Sequence, residues 1–255
     1  MRHRVVLLGE MHDNPHHHRL RAEALATALA TDPSSRPALL MEQFDRERQA
    51  DIERARRERP RDAAYLIAQA TPERSAWNWV FYRPFVALAL QYDLPLIAVN
   101  VSRADAQRVV REGIAAAFSS AELARLELHA PLPPAVVAAI EEAVRVGHCD
   151  ALPRTLLPAM ARAQMARDAA MALALHDRGA TGAVLIAGNG HVRRDFGVPV
   201  WLARLGAKPA WVVGFTEAGT IEAAGAYDRQ IATEAHVRPD PCAEFRRRNG
   251  AASGG

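Results

Sequence analysis

The sequence contains few aromatic residues, only two cysteines and no long hydrophobic run. Aromatic side chains make up 6% of its 255 residues, and they are not interleaved with a cluster of basic residues. Proteins that bind nucleic acids commonly combine such a cluster with aromatic side chains on which bases stack, so no nucleic-acid partner is expected. A membrane-spanning helix needs roughly 18 consecutive apolar residues, so no transmembrane segment is predicted.

The two cysteines, Cys149 and Cys242, leave two possibilities open. Reduced thiols would fit a cytosolic protein, whereas a disulfide would fit an exported one. The sequence shows no signal peptide and no N-terminal lipidation site, so we expect a cytosolic protein if the chain is complete, or an exported one in a mature or trimmed form. If the protein is exported, we expect the cysteines to bond and to attach the C-terminal tail to the helices.

Five apolar runs are predicted to form strands, and helical segments separate them. This alternation favours an α/β fold with a mainly parallel β-sheet flanked by helices. Residues 102–178 contain no convincing strand, which predicts a smaller helical subdomain inserted at 103–160. The sheet domain is predicted at 1–102 and 161–238, followed by a loosely held tail at 239–255. The five runs are residues 4–8, 38–41, 95–99, 183–187 and 210–215.

The first strand is followed by a polar turn and a helix start, in the sequence GEMHDNPHHH. Asn14 is a favourable N-cap and Pro15 fits the first helical position, so a helix is predicted over residues 16–30. Glu10 and His12 therefore lie in the turn between a strand and a helix.

Polar side chains follow four of the predicted strands. Because the carboxyl ends of parallel strands lie along one edge of a sheet, we expect these side chains to converge on one cleft. Two of the turns share the form Gly-x-x-His, as GEMH and GNGH, in which the glycine permits a tight exit from the strand. The residues are Glu10, His12, Glu42, Asn100, Asn189 and His191, with Arg83, Gln164 and Asp168 as weaker candidates for the same edge.

The strongest candidates at this predicted rim are Glu10, His12, Glu42 and His191. Carboxylate plus imidazole is a common ligand set for a divalent metal ion and equally a general acid/base pair. A single histidine after a strand is often only a turn residue. Glu42 is more informative, because a carboxylate at the end of a buried strand is costly without a partner. The four are therefore predicted as metal ligands or, in an enzyme, as catalytic residues.

In these segments the sequence resembles the ChaN-like haem-binding family, within the superfamily that includes the Tiki proteases, TraB proteins and erythromycin esterases. The resemblance covers roughly residues 4–245. It rests on LLGEMHDNPHHHRL, LLMEQF, WNWVFYRPFVALAL, PLIAVNVSR, LPRTLLPAMARAQMARDAAMA, LIAGNGHVRRDFGVP and DPC, in this order. It implies a parallel sheet with flanking helices and a smaller helical domain, and a role in bacterial haem-iron acquisition.

Haem is the cofactor that the resemblance implies, with a homodimer as the expected assembly on haem binding. The resemblance also implies a tyrosine as haem ligand, and the sequence does not identify which one. Predicted haem contacts are His17, Tyr82, Asn100 and Asn189. The implied location is the bacterial periplasm or an outer-membrane lipoprotein.

Three functions stay open at this point. The resemblance favours a haem-binding uptake protein, the rim chemistry favours a metal-dependent hydrolase using both Gly-x-x-His turns and Glu42, and a non-catalytic partner-binding protein is the third.

Haem is a large apolar plate, so we expect it near the helical subdomain and away from the rim. Its Soret band should survive Glu42→Gln and His191→Ala, whereas a bound metal or hydrolytic activity should not. A concentration of aromatic residues, expected either in the core or on the haem face, comprises Trp77, Trp79, Phe81, Tyr82 and Phe85.

Overall fold

The computed structural model shows a chain folded around a parallel β-sheet, and it describes residues 3–72, 75–128, 130–240 and 242–243. The strands are β1 (Val5–Leu8), β2 (Ala38–Asp45), β3 (Leu96–Asn100), β4 (Ala183–Ile186), β5 (Trp211–Glu217) and β6 (Arg229–Thr233). Within the described residues their order is β3-β2-β4-β1-β5-β6, and every neighbouring pair is parallel. The carboxyl ends of the strands therefore share one edge, as predicted.

Helices cover both faces of this sheet. They are α1 (Pro15–Thr31), α2 (Gln49–Glu58), α3 (Ala63–Ala70), α4 (Trp79–Gln91), α5 (Arg103–Glu112), α6 (Ser120–Leu126), α7 (Pro134–Gly147), α8 (Leu157–Arg178), α9 (Asn189–Val192) and α10 (Val198–Arg204). The prediction for α1 is confirmed, since the Asn14 side chain accepts hydrogen bonds from the first helical amides and Pro15 begins the helix.

Alternate residues of the strands pack into two separate apolar layers, one on each face of the sheet. Leu8, Met41 and Ile186 pack with helices α1 to α4 on one face. Leu7 and Leu185 point to the other face, where they pack with α6, α7, α8 and α10. This two-sided burial explains why the central strands are continuous apolar runs without polar alternation.

The five predicted strands are confirmed, with two differences. The sheet contains a sixth strand, β6, which is mostly exposed at the sheet edge and so carries no apolar run. Strand β2 also extends beyond the predicted residues 38–41 to Asp45, and its pairing with β3 shifts register between Met41 and Asp45. Glu42 therefore lies inside a strand, at this irregularity.

Within the described residues, the segment 103–160 consists of helices and the turns that connect them, and His129 alone lies outside the described residues. Leu126 of α6 and Ile140 of α7 belong to the same buried layer as Leu7 of β1. Val109 of α5 packs against α8 in a smaller cluster of its own. The predicted helical subdomain thus shares part of its core with the sheet.

Cys149 and Cys242 form a disulfide with their Cα atoms 5.5 Å apart. It links the residue after the C-cap of α7 to the start of the predicted tail, which is the pairing expected for an exported form. Most of the tail, 239–255, lies outside the described residues. None of the described helices combines the length and apolar composition needed to cross a membrane.

Candidate functional site

The first Gly-x-x-His turn begins where β1 ends and lies against the second one. Gly9 approaches the turn after β4 so closely that a Cβ atom there would lie 2.3 Å from Asn189 Oδ1. The backbone N–H of Asn189 donates to the carbonyl of Glu10 (2.8 Å). Gly9 is therefore required for this close approach, and the two turns form one structure.

Glu10 is a buried carboxylate, 2% exposed. Its Oε1 atom accepts hydrogen bonds from the Tyr82 hydroxyl (3.0 Å) and from His12 Nδ1 (2.8 Å). Burial alone would raise the pKa of Glu10, but the nearby Arg21 guanidinium and the His12 hydrogen bond outweigh it and hold the pKa below its usual value. Glu10 is thus an ionised group whose hydrogen bonds hold the Tyr82 hydroxyl and the His12 ring in place.

Arg21 is the buried cation that accompanies Glu10. Its guanidinium is fully buried, donates to the carbonyl of Leu8 (3.0 Å) and lies 3.8 Å from Glu10 Oε1. It also donates to His18 Nδ1 (3.0 Å), so His18 carries its proton on Nε2 and donates that proton to the His12 carbonyl (3.0 Å). Burial lowers the pKa of His18 to about 4, so this ring is neutral.

Arg21 and His18 were not among the residues predicted at the rim, although a signal for Arg21 exists. Arg21 lies four residues before Leu25 and eight before Leu29, which are buried on the core face of α1. An arginine on that stripe must find a buried anion.

His17, a predicted haem contact, supports the first turn. The Met11 amide donates to His17 Nδ1 (3.1 Å), and His17 Nε2 is bonded to the Thr233 hydroxyl (2.9 Å). Its side chain is completely buried with both ring nitrogens occupied. Tyr82 is equally buried and its hydroxyl is committed to Glu10. In this arrangement the polar groups of both side chains are bonded within the protein.

The second Gly-x-x-His turn places His191 between two carboxylates. His191 Nδ1 bonds to Asp168 Oδ1 (2.6 Å), and Nε2 lies 3.4 Å from Glu42 Oε1. The Gly188 amide donates to Glu42 Oε2 (2.8 Å). Burial works against charge on His191, but its two carboxylate neighbours raise its pKa to about 10.

The carboxylates beside His191 differ from one another. Burial opposes ionisation of Glu42, yet His191 and the Gly188 amide hold its pKa at about 2. Burial dominates at Asp168 and raises its pKa to about 6. At neutral pH the arrangement is an imidazolium between two carboxylates, with Asp168 the first to accept a proton as the pH falls.

The structure brings Glu10, His12, Glu42 and His191 together at one edge, as the sequence predicted. The His12 ring lies over the backbone of Gly188, where a Cβ atom would be 2.8 Å from the ring. Burial opposes charge on His12, but the hydrogen bond to Glu10 outweighs it and raises the pKa to about 9. The His12 side chain is 52% exposed whereas Glu10 is buried, so His12 presents the rim's positive charge to solvent.

Two predicted amides also lie at this edge. Asn189 Nδ2 donates to the Phe215 carbonyl (2.6 Å), which fixes the turn after β4. Asn100 is 9% exposed at the end of β3, and its Oδ1 atom has no hydrogen-bond partner among the described residues. Of the weaker candidates, Asp168 joins the rim, whereas Arg83 is exposed on α4.

The predicted metal site is not formed in this arrangement. Within residues 3–72, 75–128, 130–240 and 242–243, no three histidine, cysteine, aspartate or glutamate side chains are grouped so that they could hold a metal ion. The reason is that the rim carboxylates already face cations: Glu10 faces Arg21, and Glu42 faces His191. What this geometry provides chemically is a set of proton donors and acceptors.

An apolar cleft of about 190 Å³ borders the rim, and we call it the α7 cleft. It lies between α7, α8 and the residues that follow β4. Its lining residues are Ile140, Ala143, Val144, Gly147, His148, Gln164, Asp168, Gly190, His191 and Phe196. The cleft thus lies between the helical segment and the second Gly-x-x-His turn. His191 and Asp168 belong to both the cleft and the rim.

The aromatic residues near α4 pack mainly inward. Tyr82 and Phe85 are buried in the layer beneath α4, and Trp77, Trp79 and Phe81 pack against it. The Phe81 ring stacks on His18 with ring centres 4.6 Å apart. This cluster therefore contributes to the core and supports the rim.

Comparisons with known proteins identify the fold and the family. The structure of ChaN of Campylobacter jejuni, described as showing cofacial haem binding, matches with a TM-score of 0.70 and 20% identity, over 86% of this chain and 84% of that one. A mutant of the erythromycin esterase EreC matches with a TM-score of 0.48 and 13% identity, over 85% and 71%. No curated protein sequence matches. The sequence profile described as haem-binding uptake, Tiki superfamily, ChaN matches residues 1–202, so the chain belongs to this haem-binding uptake family.

Proposed function

We propose that this protein binds haem and takes part in bacterial haem-iron acquisition. The observation that carries the proposal is the family match over residues 1–202. The likeness to Campylobacter jejuni ChaN, whose structure shows cofacial haem binding, supports it through a shared fold. The Cys149–Cys242 disulfide supports a location in an oxidising compartment such as the periplasm, because disulfides persist there.

Haem is a flat, largely apolar molecule, and the α7 cleft offers the apolar wall that the charged rim does not. The cleft lies beside the helical segment, where the sequence predicted the haem face. At about 190 Å³ it is smaller than a typical enclosed ligand pocket of roughly 300–1,000 Å³, so a haem would rest across its mouth with one face open. A second copy of the chain would cover that open face, so we expect a homodimer on haem binding.

The test is a haem titration of the full chain, followed by the Soret band and by sedimentation. We expect saturable binding and an increase in mass to a dimer when haem is added. Glu42→Gln should keep the Soret band, since Glu42 does not line the α7 cleft. His191 borders both cleft and rim, so the predicted separation is cleaner for Glu42→Gln than for His191→Ala. Absence of saturable haem binding by the folded wild-type chain would refute the proposal.

A hydrolytic activity is the second candidate, because of the hydrogen-bonded row Asp168–His191–Glu42. Together with His12, this row offers proton transfer groups of the kind that ester or amide hydrolysis requires. The assay is hydrolysis of a small activated ester, with and without EDTA to determine whether a metal ion is required. Activity that is unchanged in Glu42→Gln and His191→Ala would rule out the rim as its source.

A further inference from the structure

A second concave surface lies between α5 and the first half of α8, and we call it the arginine groove. Its volume is about 610 Å³, within the range of roughly 300–1,000 Å³ that small-molecule pockets occupy. It shares no lining residue with the α7 cleft and contains none of the rim residues. The lining residues are Arg103, Ala106, Gln107, Val110, Arg111, Met160, Ala163 and Arg167.

Polar side chains reach this groove from both helices. Arg103, Gln107 and Arg111 are four residues apart, so they lie along one face of α5 and place two guanidinium groups and one amide on the same wall. Arg167 of α8 provides a third guanidinium from the other wall. The groove therefore has donors on two sides.

The rest of the groove is apolar. Ala106 and Ala163 are buried where α5 packs against α8, and their small side chains keep the floor open. Val110 and Met160 line the groove and are only partly buried. Methionine is flexible and adapts to ligands of different shape. The groove thus suits a molecule that combines a charged group with a hydrocarbon part.

The three arginines have no acidic partner within the groove. In the described part of the chain, none of them makes a hydrogen bond, an ion pair within 4 Å or an aromatic contact. Arg108, on another face of α5, instead pairs with Asp105 and donates to the Ala116 carbonyl (2.8 Å). Asp45 at the end of β2 feels the charge of Arg167 but does not line the groove. Three positive charges therefore share one concave surface without a compensating carboxylate.

The position of Arg103 is unfavourable for its own helix. It is the first residue of α5. The positive end of the helix dipole lies there and destabilises a nearby cation. A bound anion would be attracted by the dipole and by the guanidinium together, so an anion site explains this arginine better than helix stability does.

We propose that the arginine groove binds a small amphiphilic phosphate monoester. Guanidinium groups donate pairs of parallel hydrogen bonds to phosphate oxygens. A phosphate monoester carries about 1.5 to 2 negative charges at neutral pH, whereas a single carboxylate would leave two of the three arginines uncompensated. The hydrocarbon part of the ligand lies on Val110 and Met160. This site is separate from the proposed haem-binding function and does not depend on it.

The test is isothermal titration calorimetry of the full chain with octyl phosphate, together with amide nuclear magnetic resonance spectra of the complex. We expect saturable binding, with the largest shifts in α5 and the first half of α8. Arg111→Gln and Arg167→Gln should each weaken binding roughly tenfold, because each removes charge-assisted hydrogen bonds. The matched control is Arg108→Gln, an exposed arginine of α5 outside the groove. Since solvent and salt screen its charge, the affinity should change by less than about twofold.

Comparison of ligands tests each part of the site. Octanoate has only one charge and methyl phosphate lacks the alkyl chain, so both should bind more weakly than octyl phosphate. Vesicles of phosphatidic acid present the same headgroup from a membrane, and any retention of the wild type on them should be matched by Arg111→Gln and Arg167→Gln.

Three results would overturn the proposal. The first is the absence of saturable octyl phosphate binding by the folded wild-type chain. The second is an equal loss of affinity in Arg108→Gln, which would show a response to overall positive charge. The third is retention on phosphatidic acid vesicles that is lost in Arg111→Gln, without binding of soluble octyl phosphate, which would make the occupant a membrane surface. Each can occur whether or not the chain binds haem.

Discussion

The buried pair of Arg21 and Glu10 gives a sharp test of how the rim is held together. Both side chains are fully buried, and Arg21 Nη2 lies 3.8 Å from Glu10 Oε1. Arg21→Met keeps a similar length but removes the charge, so the Glu10 carboxylate would stay buried without its main cation. Breaking a buried pair in this way typically costs about 3–5 kcal/mol. Since domains have roughly 5–15 kcal/mol of stability, this is a large fraction of the total.

The assay is urea unfolding followed by circular dichroism and fluorescence, with agreement of the two probes as the check for a single transition. The control is Arg19→Met on the same helix. Arg19 is exposed and pairs with Glu23 one turn away, so its removal should change the unfolding free energy by no more than about 0.5 kcal/mol.

The double variant Glu10→Gln with Arg21→Met separates a charge effect from a packing effect. If the cost arises from an unpaired carboxylate, neutralising Glu10 should recover part of it, with a coupling energy of about 1–3 kcal/mol. A loss below about 1 kcal/mol in Arg21→Met, or additive costs in the double variant, would refute the view that Arg21 keeps Glu10 ionised.

Three further outcomes follow from the contacts at the rim and the tail. Because His191 has a pKa near 10 when folded against an ordinary value of 6.5, its contribution to stability should be complete below pH 6.5 and lost as the pH rises to 10. Unfolding free energies measured across this range should fall more steeply for the wild type than for His191→Gln. Replacing both cysteines with serine should lower stability by about 4.6 kcal/mol in the chain-entropy model, since the disulfide spans 93 residues. Finally, Gly188→Ala would place a methyl group against His12 and should displace that ring, whereas Gly190→Ala meets nothing within 4 Å and should be tolerated; nuclear magnetic resonance of the histidine side chains would report both.

The sequence was sufficient to predict most of the sheet and the rim. The central strands are buried on both faces, so each leaves an unbroken apolar run, and parallel pairing then places the residues after each strand on one edge. Glu10, His12, Glu42 and His191 could be named for this reason. Strand β6 was not predicted, because it is largely exposed at the sheet edge and therefore has no continuous apolar run.

Other parts of the site could not be predicted, because they depend on contacts between distant segments. A charged residue on a helix is normally exposed, and although Arg21 lies on the apolar stripe of α1, the sequence did not show that its partner would be Glu10. The α7 cleft is built from α7, α8 and the residues after β4, and nothing in the local sequence around His148 indicates that these meet. The helical segment itself was predicted, but its packing onto the sheet was not.

The two rim histidines are distinguished by the hydrogen-bond partners of their ring nitrogens. His12 and His191 are bonded to carboxylates, which raise the pKa of each ring and favour the imidazolium, a proton donor that cannot use the same nitrogen to bind iron. The wall of the α7 cleft beyond the rim is mainly apolar, with Ile140, Val144 and Phe196 among its lining residues. The rim and the α7 cleft therefore offer different chemistry although they share a border. On this basis any acid/base reactivity belongs to the strand ends, and substitutions of cleft side chains that do not border the rim should leave it unchanged.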